Sequence, residues 1–474
     1  MSTHLRVAVL MLLAAGAASG QAIPAPSGKC AFNVKFDRIS SVQLPSGQRN
    51  SFLGGNIVAT CPSQRIVLKS DSLEQYGDEG RLFFIGHVDY REPRLTLTSD
   101  FLTYFQKDER LLAFLNVDAK LPSGTTLKGS SLEFFRAIPK VRPRQRGIAV
   151  GRPTISLVEK DAQGKVQDTV KVTGNNIWLE ADSIVAAQGE VVVVRPQLTA
   201  TGDSLFLDSG SGIARLMRTP RIVGTKGRPF TMVGETIDLL SRRRKIERVL
   251  SKNAAETVSE DLKLNADTID LRVTDDLLQR ATAWGKSRAR ATSPSQTIIA
   301  DSIDVVMPGQ RMREMHAVRD AVAEGVPDTT TFRAKDKDRL TGDTIIAYFD
   351  TVPARDTAAK PRIRMLVAFG HATSLQHLAP RDTACRLPAI NYVRGRQIVV
   401  TFDSATVRNV EVKDKEQSAS AVYIEPNADC ATTARARATP AGSQTPPHPT
   451  PPTNTPVPSP TTPTTVPAIP PRRP

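Results

Sequence analysis

The sequence predicts an all-β protein: a long roll of stacked antiparallel strands, followed by a tail that cannot join it. Three observations carry this. Apolar and polar residues alternate with period two along most of the chain, helical periodicity is nearly absent, and one short motif recurs roughly every 30 residues. Composition agrees, with 40% hydrophobic but only 5% aromatic residues, which suits a thin core filled by aliphatic side chains. The apolar runs all fall short of the ~20 residues a membrane-spanning helix requires. Collagen, coiled-coil and polytopic helical architectures are thereby excluded.

The strands can be followed in order. Leu95 and Leu97 alternate with Thr96 and Thr98; Val191 with Val193 and Leu205 with Leu207 begin further stretches. Ile269 with Leu271, Ile303 with Val305, Ile345 with Ala347 and Phe349, and Ile398 with Val400 and Phe402 continue the pattern. Each reads as a half-buried strand with one apolar face. Helical spacing is approached only around 312–323 and 251–260, and it is interrupted in both.

The recurring motif is a tetrad: a small residue, an acid, Ser or Thr, then Leu or Ile. It begins at Ser70, Ala181, Gly202, Gly234, Ala266, Ala300 and Gly342, with looser copies at Ser99, Gly129 and Gly395. The pattern suggests a corner: the small residue lets the chain bend, the carboxylate accepts a backbone N–H, and the aliphatic residue starts the next inward face. Between tetrads runs a second strand carrying Gly or Ala, as in Phe84-Ile85-Gly86-His87-Val88 and Ala368-Phe369-Gly370-His371-Ala372. Two strands per repeat, iterated about ten times, give hairpins or V-shaped layers that bury apolar surface only against their neighbours.

Residues 1–22 read as a cleavable signal peptide, with Arg6, an apolar stretch from Val7, and small residues around Gly20. The rival reading is a retained inner-membrane anchor. Residues 23–155 form a first β-roll segment, residues 156–430 continue the repeats, and residues 431–474 are a disordered Pro/Thr-rich tail. Fourteen of the 34 prolines lie in the last 35 residues, a composition that favours extended polyproline conformations over a core. The four cysteines, Cys30, Cys61, Cys385 and Cys430, sit near the two ends of the folded body. In an exported chain they read as disulfides whose connectivity spacing alone leaves open. The net charge of +15 is spread in short basic runs. In an exported protein these suit anionic head groups or a membrane surface better than nucleic acid, which is not expected as a partner.

The tetrads, their aliphatic strands, and the Gly86-His87-Val88 and Gly370-His371-Ala372 segments resemble the OstA/LptA-like family of lipopolysaccharide export, historically linked to organic solvent tolerance. The resemblance spans residues 52–412 and is clearest over 66–132. It implies an elongated, open β-jellyroll, two sheets in a V, whose groove shelters acyl chains in the periplasm. It also implies partners: lipopolysaccharide or a related anionic lipid, and other β-jellyroll export proteins, or further copies, paired end to end through edge strands. Loops inserted near 137–167, 353–362 and 373–387 set this chain apart from a minimal bridge protein.

Alternation nominates Leu73, Leu95, Leu97, Leu102, Ile184, Leu205, Ile237 and Ile269 as groove-lining residues. A one-residue error of register would turn any of them outward. Arg142, Arg144, Arg242 and Arg243 are nominated for anionic head groups. Neither a catalytic residue, a metal ligand nor a cofactor is expected. The Asp-Ser pairs recur as structure without a His at matching period, and the acids come singly rather than in calcium-binding runs. His87 and His371 read as strand histidines, and Trp178 and Trp284 as packing residues. The alternative to a lipid conduit is an exported carbohydrate-binding or carbohydrate-active protein, which calls for aromatics or carboxylates repeated along one outward face.

Overall fold

The computed structural model describes residues 21–23, 30–77, 79–160, 166–242, 245–259, 262–327, 330, 332–350, 361–381, 386–403, 406–413 and 418–426. The described residues from Cys30 to Pro426 belong to one compact unit. The boundary expected after residue 155 falls inside strand Thr154–Lys160. Most of the leader (1–20), the tail, Cys385, Cys430 and Arg243 lie outside the described residues.

The fold is all-β and antiparallel throughout, with two single turns of 3-10 helix, Pro62–Gln64 and Pro308–Gln310, and no α-helix among the described residues. Of the two stretches with residual helical spacing, 251–259 lies in strand Lys245–Ser259 and 314–323 in strand Glu314–Gly325. Strands are long, commonly 11 to 16 residues, and most pair with the strand before and the strand after them.

The tetrads reveal their function here. The sequence reading makes each one a corner between strands; the structure puts most of them in the middle of one strand. In Leu95–Phe105 the inward residues are Leu95, Leu97 and Ser99, and then Leu102 and Tyr104. The step from 99 to 102 is three residues, so side-chain parity flips. A straight strand would aim Leu102 and Tyr104 at solvent. The flip is absorbed by a β-bulge, because register jumps from Ile85/Phe101 to Val88/Ser99 on the preceding strand. The same step, from the small residue to the aliphatic one, occurs at 70→73, 266→269 and 300→303. A small inward residue is needed because it sits inside the bend. Ala181-Asp182-Ser183 is different: it is a true hairpin turn between Asn176–Glu180 and Ile184–Arg195, and Gly174-Asn175 takes the equivalent bend position.

The return strand pays for the bend with left-handed backbone. Gly86 and His87 have φ of 78° and 44°, Gly370 and His371 68° and 37°, and Leu115 and Asn116 59° and 49°. Each non-glycine residue there costs roughly 1–2 kcal/mol. The tetrad acid offsets part of that cost by clasping the strained pair. Asn116 donates to Asp100 (2.8 Å) and Asn253 to Glu235 (2.9 Å), and outside the tetrads Asn56 donates to Asp37 (2.9 Å) in the same way. At Asp267 the backbone N–H groups of Lys286 and Ser287 donate instead, without a left-handed pair. His87 Nδ1 lies 2.8 Å from Asp71.

Because the long strands bend at one shared row, and shorter strands such as Asn176–Glu180 and Phe230–Val233 stop beside it, pairing resolves into two ladders. One ladder contains 57–61, 66–70, 88–92 and 95–98; the other contains 49–54, 72–76, 81–85 and 101–105. The division continues to the last described strands, Thr406–Lys413 in the second ladder and Ser420–Ile424 in the first. The inward faces of both ladders build one core. Phe32 of the first meets Tyr104 of the second edge-on, with ring centroids 5.1 Å apart. Each fully buried Leu or Ile contributes roughly 1.5–3 kcal/mol. A disulfide joins Cys30 to Cys61, with Cα atoms 5.9 Å apart, and fixes the start of the first ladder.

Candidate functional site

Away from the bends the ladders part, and what lies between them changes along the chain. In the N-terminal third the space is filled. Leu73, Leu95, Leu97 and Leu102 are all but inaccessible, and the hairpin ends of the two ladders are fastened across the opening. Arg136 does the fastening. Its guanidinium bonds Glu92 (2.7 Å), Glu109 (2.6 Å) and Gln64, which also donates to Glu109 at 2.9 Å. The side chains of Arg136, Glu92 and Glu109 are 14%, 4% and 12% exposed. Burial, opposed by the neighbouring guanidinium, holds the Glu92 carboxyl above its usual range. The buried hydroxyls of Tyr90 and Tyr104 sit beside this cluster without a well-formed hydrogen bond.

Beyond this clasp the ladders enclose a cavity of about 590 Å³. Leu157, Val170, Val193, Leu198 and Ala200 line it from one ladder, and Leu205, Leu207, Leu216 and Leu239 from the other. Its polar lining comes from Ser123, Thr125, Asp182, Arg195, Ser241, Arg242 and the Ser209–Gly212 turn. That turn is held by Asp208, which accepts from Ser211 (2.8 Å) and from the backbone N–H of Gly210 (2.9 Å). The Ser211 hydroxyl draws the Asp208 carboxyl below the usual range despite some burial. Such a site offers apolar surface to a hydrocarbon chain at ~0.8 kcal/mol per methylene.

Further along, a strap crosses the opening: the backbone N–H of Arg228 donates to Gln310 Oε1 (2.7 Å), and Lys226 pairs with Asp276 (2.7 Å). Smaller cavities follow, one between Leu262, Ala291 and Ile298 on one side and Met315, Phe349 and Ile363 on the other. Another reaches Leu340, Leu366 and Val400.

The nominated groove residues divide accordingly. Leu205 lines the large cavity. Leu73, Leu95, Leu97, Leu102, Ile237 and Ile269 face inward but are buried in packed core. Ile184 is only half-buried, while its neighbours Val185 and Ala187 take the inward positions. The cause is the hairpin turn at Ala181-Asp182-Ser183, which lacks the parity flip of the other tetrads. Among the nominated arginines, Arg142 is engaged internally: it donates to the carbonyls of Arg136 and Asp108 and lies 5.3 Å over Phe135. Arg144 approaches Glu180 (3.6 Å), and Arg242 lines the cavity with Glu247 3.8 Å away. Sequence reasoning missed Arg136, Glu92, Glu109 and Gln64. Gln64 and Arg136 are 72 residues apart, and only closure of the ladders brings hairpin ends together.

Outside, beside the bends, register aligns Ile85, Phe101, Phe114, Ser131 and Val150, and farther along Thr268, Trp284, Ser302, Val318, Thr344 and Phe369. Phe101, Phe114, Trp284 and Phe369 are 42%, 50%, 37% and 37% exposed. Trp284 is thus a surface residue. His87 and His371 occupy the strained bend positions, with their rings in solvent. No group of three or more His, Cys, Asp or Glu poised to hold a metal occurs among the described residues. No family model matches the chain, and no curated protein matches it.

Proposed function

We propose that this chain is a non-catalytic lipid-binding conduit of the OstA/LptA-like kind, an open β-jellyroll that carries lipopolysaccharide or a related anionic lipid through the periplasm. The observation that carries the reading is the cavity between Leu157 and Leu239, walled by aliphatic side chains from both ladders and flanked by Arg195 and Arg242. Acyl chains would lie between the ladders while phosphorylated sugars stay in water near the arginines. Strands Arg38–Gln43 and Thr406–Lys413 each have one pairing partner among the described strands, which supports end-to-end contact with a further copy or another β-jellyroll export protein.

Photocrosslinking tests this. A benzophenone amino acid at Leu205 or Leu216 should capture radiolabelled lipopolysaccharide, and one at the outward Phe206 should not. Capture from Phe206 alone would refute an interior conduit. A second reading, carbohydrate binding on the outside, is favoured by the exposed aromatics beside the bends. Polar and aliphatic residues from Ser131 to Thr268 interrupt that row, so two short platforms replace a continuous one. Loss of oligosaccharide binding in Trp284→Ala with lipid capture intact at Leu205 would establish both surfaces.

A further inference from the structure

We propose a second ligand site, beyond the strap, for a single-chain anionic amphiphile. Its tail would lie among Leu262, Met312, Met315, Phe349 and Ile363, and its acidic head at Arg228, Arg311 and Arg313. This rests on the reading that the interior accepts acyl chains, and it adds where a charged head is read.

Two cavities, of about 320 and 280 Å³, share Met312, Phe349 and Pro361 and form one continuous recess. These volumes approach the range of small-molecule sites. The larger part is mostly apolar, apart from Ser293, Ser295, Gln296 and Arg362; it is walled by both ladders and furnished with Met312 and Met315, whose unbranched side chains adapt to a flexible tail. The second part adds charged groups: Arg228, Arg311, Arg313 and Asp350 line it beside Met312 and Phe349. Guanidinium forks match the planar, bidentate geometry of carboxylate and phosphate. Arg228 belongs to the strap, whose backbone is held to Gln310, so one of the three cations is set in place by the crossing itself. The recess shares no lining residue with the 590 Å³ cavity, and is a distinct site.

The test uses three probes with the same palmitoyl chain carrying a terminal diazirine: lysophosphatidic acid, free palmitate and monopalmitoylglycerol. Labelled segments are mapped by mass spectrometry on the full chain. Both acids should label the 312–315 segment, Phe349 and the 361–363 segment at least tenfold more than the uncharged ester. The double variant Arg311→Gln/Arg313→Gln should reduce that labelling about tenfold while leaving labelling of 198–217 unchanged. Arg313→Gln alone, at an exposed side chain, gives the same comparison should the double variant not fold. Preference for lysophosphatidic acid over palmitate would identify phosphate as the head group; the reverse would identify carboxylate. Labelling of 198–217 alone overturns this inference and leaves the conduit standing, whereas labelling of neither segment overturns both. Equal labelling by the uncharged ester overturns the arginine assignment.

Discussion

Replacing Arg136 by Met should open the N-terminal third of the protein. The substitution keeps much of the side-chain volume but leaves two carboxylates, with 4% and 12% exposed side chains, without their cation. Breaking a buried ion pair from one side costs about 3–5 kcal/mol. Gln64 remains as a neutral partner for Glu109, which places the expected loss toward the lower end. Hydrogen exchange is the suitable assay, because strands Arg81–Glu92, Arg110–Lys120 and Thr126–Phe135 can be compared with the distant Ile363–Leu378 and Ala389–Asp403 in one sample. Protection should fall roughly 10²- to 10³-fold in the first group and stay constant in the second. The defect should also depend on pH. Glu92 is already held above its usual range by burial, and losing the guanidinium raises it further. An acid whose folded value exceeds its unfolded one binds its proton more tightly when folded. Its contribution is therefore present below about pH 4.3 and lost as pH rises through the folded value. Arg136→Met should thus be least harmful in mild acid. A loss under fivefold, or an equal loss in both groups of strands, would refute the clasp.

Other consequences are simpler to check. Tyr104→Phe removes a buried hydroxyl that lacks a good partner, so urea unfolding should show no loss and up to ~1 kcal/mol of gain. Gly370→Ala places a methyl group 2.1 Å from Asp343 Oδ2 at a φ of +68°, and should cost roughly 1–2 kcal/mol in the same assay. Gly325→Ala, whose nearest contact would be 3.9 Å away, is the control and should fall well short of that loss. The Asp71 carboxylate, through its hydrogen bond and charge, raises the His87 imidazole above its ordinary 6.5. An NMR titration should show that midpoint falling in Asp71→Asn, and whatever stability the contact lends is present below pH 6.5 and disappears as pH rises past the His87 midpoint. Reducing the Cys30–Cys61 disulfide, which closes a 31-residue separation, should cost roughly 3–4 kcal/mol and lower the midpoint of thermal unfolding.

The all-β architecture was legible because its signals are local. Alternation such as Leu95-Thr96-Leu97-Thr98 survives as an inward and outward face, and the tetrads mark a position repeated along the ladders. Their meaning was harder to read. A three-residue step between inward residues is also what a corner between two strands would leave, and only pairing shows that Ile66–Tyr76 is one strand. The same ambiguity misplaced Ile184, since Ala181-Asp182-Ser183-Ile184 matches the motif in composition but forms a hairpin. The candidate site was half visible. Leu205 follows from alternation, yet alternation cannot say whether an inward residue meets a neighbour or a void; that depends on the opposite ladder. Arg142 illustrates the limit for charge, because a basic run is equally readable whether its guanidinium faces water or is spent on the carbonyls of Arg136 and Asp108.

The shared row of bends has a bearing on how such a protein changes size. Most hairpins carry their own kink, often with its own acid, and their own contribution to both walls, and lean on little besides the hairpins next to them. A duplicated pair of strands can therefore enter the stack, or a pair can be dropped, without disturbing the kinks elsewhere, as long as the cut falls between bends. Evolution can lengthen or shorten the enclosed space in increments of one hairpin, and the fastenings at Arg136 and Gln310 then decide which stretches of that space are shut and which stay roomy.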